Sequence, residues 1–219
     1  MTATVDSIAD RLAAFCNDCT LADAPDGAAE RIDRCFVDTV GVTLAGASRD
    51  PGRHAAGLLT GDGPATVPGF ETTAPVTDAT FVGGTVAHSL EIDDGSPGIF
   101  GHPSATLVPA LLAIGEAREL SGEAVVTGYL AGFEAMCFLA NAASESHYEA
   151  GWHSTSTLGT FGAAAATATA LGRSRETIAD ALRIAASSPA GLRVNFSSST
   201  KAAHAGQAAR AGLTATLLA

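Results

Sequence analysis

Runs of alanine and glycine constrain this chain more than any other feature. Stretches such as FGAAAATATALG and KAAHAGQAARAGL place small side chains at almost every position. Such surfaces bury useful area only where backbones come close together. Apolar residues make up 47% of the sequence, while aromatic residues make up only 5%. Sheets draw on β-branched and aromatic side chains, whereas alanine is the strongest helix former. The expectation is an all-α, multi-helix domain over residues 1–219, long enough to bury a real core.

Charge and local pattern narrow the functional classes. A net charge of −11 would repel nucleic acid. The start, MTATVDSIADRLAAF, lacks a basic segment followed by an apolar block, so a cytoplasmic location is expected. The most apolar run, AVVTGYLAGFEAMCFLANAA, carries Glu134 and two glycines, and reads as a core helix, not a membrane span. Of Cys16, Cys19, Cys35 and Cys137, the first two form a C-x-x-C pair. No second ligand pair lies at a useful spacing, so reduced thiols are expected.

Helical periodicity predicts a first helix over Asp6–Phe15, with Ile8, Leu12 and Phe15 on one stripe. A second follows over AAERIDRCFVDTVGVTLAGA, capped by Asp26 and burying Ile32, Cys35, Phe36, Thr39, Val40 and Thr43. A short helix fits residues 51–60, and a glycine- and proline-rich loop follows with room for a strand at ATVPG. Helices resume at TFVGGTVAHSLEIDD and again from Ser104 or Thr106, which would keep Pro109 near a first turn. Further helices are predicted over Ser121–Ala143, where Gly128 and Gly132 permit a close neighbour, after Trp152-His153, from Ser174, and to the end of the chain.

Chemistry concentrates in AHSLEIDDGSPGIFGHPSA, which crowds His88, Glu91, Asp93, Asp94 and His102 into an otherwise apolar sequence. If a helix ends here, His88 and Glu91 share one of its faces. Carboxylates beside imidazoles are what proton transfer near neutral pH requires. A solvated acidic loop is the plain alternative. A metal site is another, but the ligand spacing matches no closed set. Two more places stand out. His153 follows the only tryptophan at the head of the alanine-rich helix, where free N–H groups attract anions. Lys201 is the only lysine in a chain that otherwise uses arginine, and it lies three residues before His204. Unlike arginine, a lysine can exchange its proton when buried.

Several segments together resemble the MmgE/PrpD family, the 2-methylcitrate dehydratase-like proteins. They are AHSLEIDD, GHPSATLVPALLAIGEA, GYLAGFEAMC, GWHSTSTLGTFGAAAA and TKAAHAGQAARAGL, with weaker support from FVDTVGVTLAGA. The resemblance implies a large helical domain, a smaller α/β lid domain later in the chain, a homodimer, and no metal or organic cofactor. It implies chemistry on a small polycarboxylate: dehydration of 2-methylcitrate, decarboxylation of cis-aconitate, or epimerisation of iminodisuccinate. It carries Asp93, His102, His153 and Lys201 over as catalytic residues. His88, Asp94, Ser104 and His204 would support them, with Ser104, His153, Lys201 and His204 contacting substrate. Arg193 and the head of the alanine-rich helix would add positive potential. The chain departs from the family's pattern in reading FVGGTVAH, with Gly83 where many relatives have asparagine. Relatives also continue into a second half. The expectation is thus a front half lacking the lid, ending in a helix with an exposed stripe at Leu213 and Leu217. Such a chain would act as a half-enzyme with a separate C-terminal polypeptide, or in a non-catalytic role.

Overall fold

The computed structural model describes residues 7–219. Among them, nine α-helices dominate: α1 (Ile8–Asp18), α2 (Ala28–Gly46), α3 (Asp50–Ala56), α4 (Val76–Ala87), α5 (Ser104–Ala117), α6 (Gly122–Glu149), α7 (Ser154–Ala170), α8 (Arg175–Ala185) and α9 (Ser199–Leu218). The domain is all-α apart from one short antiparallel hairpin, β1 (Ala65–Thr66) with β2 (Thr73–Ala74). Glu116 of α5 fastens that hairpin by accepting from the Thr66 amide at 2.6 Å and its hydroxyl at 2.7 Å.

Helix α7 is the axis of the domain, with 15 of its 17 residues buried. Its neighbours reach it by removing side chains. A Cβ added at Gly128 or Gly132 of α6 would stand 2.6 Å from the carbonyls of Ala166 or Gly162. On another side, Gly212 of α9 is pressed against the Thr160 carbonyl. Threonines inside this seam return their hydroxyls to the preceding turn, as Thr160 does to Ser156 (2.9 Å) and Thr167 to Ala163 (2.7 Å). Their polarity is therefore satisfied without solvent.

The end of α4 is locked to the beginning of α9 in the same manner. A Cβ at Gly84 would lie 2.9 Å from the Gly206 Cα, and one at Gly206 would strike the Phe81 carbonyl. Pro109 is the sixth residue of α5, deeper than a first turn. Its ring fills the space left by Gly83, where a Cβ would stand 3.0 Å from it. Glycine at position 83 thus has a packing reason.

Several boundaries differ from the sequence reading. Ser7 caps α1 through a capping box with Asp10, and the buried stripe is Leu12, Ala13 and Cys16. Ile8 and Phe15 are exposed, and Asp6 lies outside the described residues. Gly27, not Asp26, caps α2, and its φ of 78° explains why glycine stands there. In α2 Ile32, Thr39, Val42, Thr43 and Gly46 are buried. Cys35, Phe36 and Val40 are half-buried, with Cys35 and Phe36 packed against the core and Phe36 against the Tyr129 ring. Helix α3 stops at Ala56, and α6 runs past Ala143 to Glu149. Leu213 is fully buried because α9 lies against α7, and of its leucines Leu217 and Leu218 emerge. By length and composition alone, Gly122–Ala143 of α6 would cross a membrane. Here its glycine face closes on α7.

Candidate active site

Four segments meet at one end of the α7–α9 pair: the end of α4, the loop over 88–103, and the heads of α7 and α9. Helix α4 stops at Ala87 and His88 caps it, so His88 and Glu91 do not share a helix face. The loop instead folds back over α7. The His102 amide donates to the Thr155 hydroxyl at 3.0 Å, and an isolated bridge pairs Ser96 with Gly101. His153 caps α7, and its amide donates to the Gly191 carbonyl at 3.0 Å.

Asp93 is the centre of this cluster. Its Oδ2 accepts from His88 Nδ1 at 2.8 Å and lies 3.3 Å from His102 Nδ1. Burial works to raise the Asp93 pKa, but the two imidazoles outweigh it and hold the carboxyl well below its usual range. For His102 burial lowers the pKa, while the hydrogen bond and charge of Asp93 carry it above the ordinary imidazole value. His153 moves the other way, pushed down to about 2 by burial first and then by His88, His204, Lys201 and His102. The ring of His153 stacks on His88 at 5.7 Å, and its Nδ1 lies 3.1 Å from His204 Nδ1. The His204 pKa is also lowered, by burial and then by His88. Four of the six histidines therefore form one continuous chain, buried at His88, His153 and His204 and half-buried at His102.

Lys201 enters from α9, with Nζ 3.0 Å from Glu91 Oε2 and 5.1 Å from the Phe196 ring. A cavity of about 190 Å³ opens here, lined by Phe100, Gly101, His102, Tyr148, His153, Phe196 and Lys201. The structure thus brings Asp93, His102, His153 and Lys201 together across more than a hundred positions of sequence.

Other candidates sit elsewhere. The Ser104 hydroxyl is spent on Asp94 at 2.5 Å and Tyr129 at 2.7 Å, and Ser104 does not line the cavity. Burial raises the Asp94 pKa, opposed by the Ser104 hydrogen bonds. This adjacent carboxyl therefore braces the loop from behind. His204 reaches the cavity only through His153. Arg193 stacks 3.8 Å from the Tyr148 ring and donates to the Tyr148 carbonyl, so it stands behind the wall. Gly101 covers the head of α7, where a Cβ would lie 2.8 Å from the Thr155 amide. Its dipole therefore acts through the cluster and not by direct contact. Nothing in the sequence marks the walls Phe100, Tyr148 and Phe196, since lone aromatics in a loop or in a polar last helical turn carry no distinguishing pattern.

Two polar groups at the site have unmet capacity, since His88 Nε2 and Asp93 Oδ1 are buried without a hydrogen-bond partner, and His102 Nδ1 has only its 3.3 Å contact with Asp93. His88, Asp93 and His102 also offer ligand atoms within 4.8 Å of one another, a set of two imidazoles and a carboxylate that suits zinc or ferrous iron. A metal there would have to displace the proton that joins His88 to Asp93. With that proton in place, the arrangement is an acid–base relay beside a fixed ammonium.

Imidazoles and a carboxylate in hydrogen-bond reach, beside a buried ammonium, have the chemistry to move a proton and to hold a small anion. Residues 10–219 match the MmgE/PrpD N-terminal domain, and the chain belongs to the MmgE/PrpD family. It is 32% identical to cis-aconitate decarboxylase of Mus musculus over 206 residues, which are 89% of this chain and 41% of that protein. It is 35% identical to cis-aconitate decarboxylase of Homo sapiens over 151 residues, 66% of this chain and 31% of that protein. The chain spans less than half the length of these relatives.

Proposed function

We propose that this domain belongs to a cofactor-free, cytoplasmic, homodimeric lyase that removes water from a small polycarboxylate of the 2-methylcitrate type. One observation carries the reading: His102 and His153 line the same cavity with pKa values displaced in opposite directions, beside Lys201. Two groups driven apart in this way divide naturally into an acid and a base. Lys201 would hold a substrate carboxylate. Asp93 would keep His102 protonated, ready to donate to the leaving hydroxyl. His153, with its Nδ1–H given to His204, would present Nε2 to the proton on the carbon next to a carboxylate.

A value near 2 makes His153 a poor base in the empty site. The arrival of a polyanion would offset the positive and desolvating surroundings that depress it, so substrate would itself raise the basicity of its base. Elimination then balances: the carbon-bound proton passes to His153, the C–O bond breaks toward His102, and water leaves. Catalysis would take place in a complete enzyme whose further segment, in this chain or a second C-terminal polypeptide, covers the cavity.

A second reading is favoured by the similarity to the two cis-aconitate decarboxylases. It uses the same Lys201 clamp and the same His102 acid, but His102 protonates carbon after carbon dioxide departs. The test is to offer 2-methylcitrate, cis-aconitate and iminodisuccinate to the complete enzyme, following alkene formation, carbon dioxide release and optical rotation. Alkene formation with water loss supports the first reading. Carbon dioxide release replaces it with the second, and racemisation alone would point to an epimerase. Lys201→Ala should weaken substrate binding about 10- to 100-fold, the loss of a charged hydrogen bond. Lys201→Arg should recover binding better than turnover. Unchanged kinetics in Lys201→Ala would end the clamp role.

A further inference from the structure

Lys201 already has an anion. Its side chain is 9% exposed, yet its ammonium is paired at 3.0 Å with Glu91, whose own side chain is 49% exposed. The backbone at Glu91 is turned to make this contact. Its φ is 57°, in the left-handed region that side chains larger than glycine seldom enter. Ile92 beside it points to solvent at 66% exposure, while Asp93 points inward at 6%.

The two partners are unequal in what separation costs them. Lys201 is buried at the cavity wall, and an ammonium there without a counter-charge is strongly unfavourable. Glu91 stands at the rim and would be hydrated on leaving. A carboxylate from outside can therefore replace Glu91 without stranding a buried charge, whereas Lys201 cannot be left without some carboxylate. The place that a substrate carboxylate needs is held by a chemically identical group from the enzyme itself.

We propose that Glu91 is a built-in competitor for Lys201, and that it makes the site selective for ligands bearing more than one carboxylate. This rests on the polycarboxylate reading above. A monocarboxylate can only exchange one ion pair for another, and the tethered carboxylate has the advantage of its high effective concentration. A polycarboxylate displaces Glu91 and places a further carboxylate against His102, a contact that Glu91 does not make. The competitor sets a threshold that single anions fail to pass.

Because Lys201 is the only lysine, 13C-labelled lysine gives this chain a single ε-methylene signal, which reports the pair directly. We would compare wild type with Glu91→Gln, which keeps the side-chain size, and with Glu91→Asp, which keeps the charge but falls short. The ligands are acetate and tricarballylate, a tricarboxylate with no hydroxyl to eliminate. Glu91→Gln should shift the lysine signal without ligand. It should bind both ligands more tightly by a similar factor of up to about fivefold, the scale of a partly exposed ion pair, and so bring acetate nearer to detectable binding. Glu91→Asp should fall between the two. If Glu91→Gln binds both ligands no more tightly than wild type, or leaves the lysine signal unmoved, the competitor is refuted. That result would leave the polycarboxylate reading standing wherever tricarballylate binds wild type. Acetate binding that tightens in Glu91→Gln while tricarballylate binds neither protein would have the opposite meaning. It would remove the polycarboxylate reading, and the selectivity built on it, while Glu91 remained a competitor for Lys201.

Discussion

The α7–α9 pair buries polar groups in opposite ways at its two ends. Toward the C-terminal end, Thr167 and Thr216 exchange a 2.8 Å hydrogen bond, and each hydroxyl also reaches a carbonyl of α7. Small residues fill the remaining space. At the heads of the same helices, His153, His204 and Lys201 are buried, and the Ser154 hydroxyl has no partner. One end has all its hydrogen bonds made internally. The other retains unmet capacity beside a cavity, which is a defect for stability and a requirement for binding. Stability and chemistry are therefore separated along one pair of helices, and substitutions should sort by the end they touch.

The largest effect should come from the polar end. Asp93→Asn removes the charge that holds His102 protonated, so turnover of the complete enzyme should fall about 10²- to 10⁴-fold, the range of general acid–base catalysis. Asp94→Asn is the control, since that carboxyl faces Ser104 and not the imidazoles. Equal losses from the two substitutions would show that the loop, and not the relay, is what turnover requires.

The closed end should answer in stability instead. Alanine for glycine within a helix ordinarily gains about 0.5–1 kcal/mol. Gly41, on the exposed face of α2 with nothing near its missing Cβ, should behave so. Gly206→Ala should lose about 3 kcal/mol, the upper end of overpacking costs, because the new carbon meets the Phe81 carbonyl. Chemical denaturation of both variants measures the contrast. A stabilised Gly206→Ala would mean that α4 and α9 are not locked at this point.

These packing partners show what a sequence can and cannot disclose. The caps at Ser121 and Ser174 mark helix starts because their signal is local, and each accepts from the amide three residues on. The GxxxG at Gly128 and Gly132 announced a close neighbour, though not that Gly162 and Ala166 would supply it. Asp93, His102, His153 and Lys201 each stand out locally in the sequence and the family resemblance groups them, but no spacing rule joins them; only the fold brings them to one cavity. Glu91 and Lys201 are 110 positions apart, and nothing but the fold pairs them. In α1 helical spacing puts Ile8, Leu12 and Phe15 on one stripe, but only Leu12 of the three is buried, joined by Ala13 and Cys16 in a cluster made largely of alanines that small side chains fit.

Acid should also act through the polar end. Between about 2 and its ordinary value of 6.5, His153 carries a proton in the unfolded chain but not in the folded one. Stability therefore rises with pH across that window, by about 1.4 kcal/mol per unit for one proton. Lowering the pH from 6.5 to 5 should cost about 2 kcal/mol on this account, and His204 shifts in the same direction. His102 has a raised value, so its contribution is complete below 6.5 and is lost only as pH rises through that value. It leaves the acid slope unchanged. Asp93 adds its own loss only below the ordinary carboxylate range. His153→Gln should flatten the slope between pH 5 and 6.5, and an unchanged slope would mean that His153 is protonated in the folded protein.

The smallest effects should differ between the two ends in sign. Thr216→Val keeps the shape of the side chain but removes the hydroxyl that bonds to Thr167 or to the Ala164 carbonyl. The single Thr167 proton can then go to the Ala163 carbonyl, so no buried donor is stranded and the cost should stay near ~1 kcal/mol. Ser154→Ala removes a buried hydroxyl that has no partner, together with the desolvation that this hydroxyl suffers on folding. It should therefore raise stability by up to about 1 kcal/mol, aided by the better helix propensity of alanine. Thermal unfolding of the two variants in one buffer separates the signs directly. Destabilisation in both would mean that Ser154 has a partner in solution, and that the two ends of the α7–α9 pair are built on the same rule.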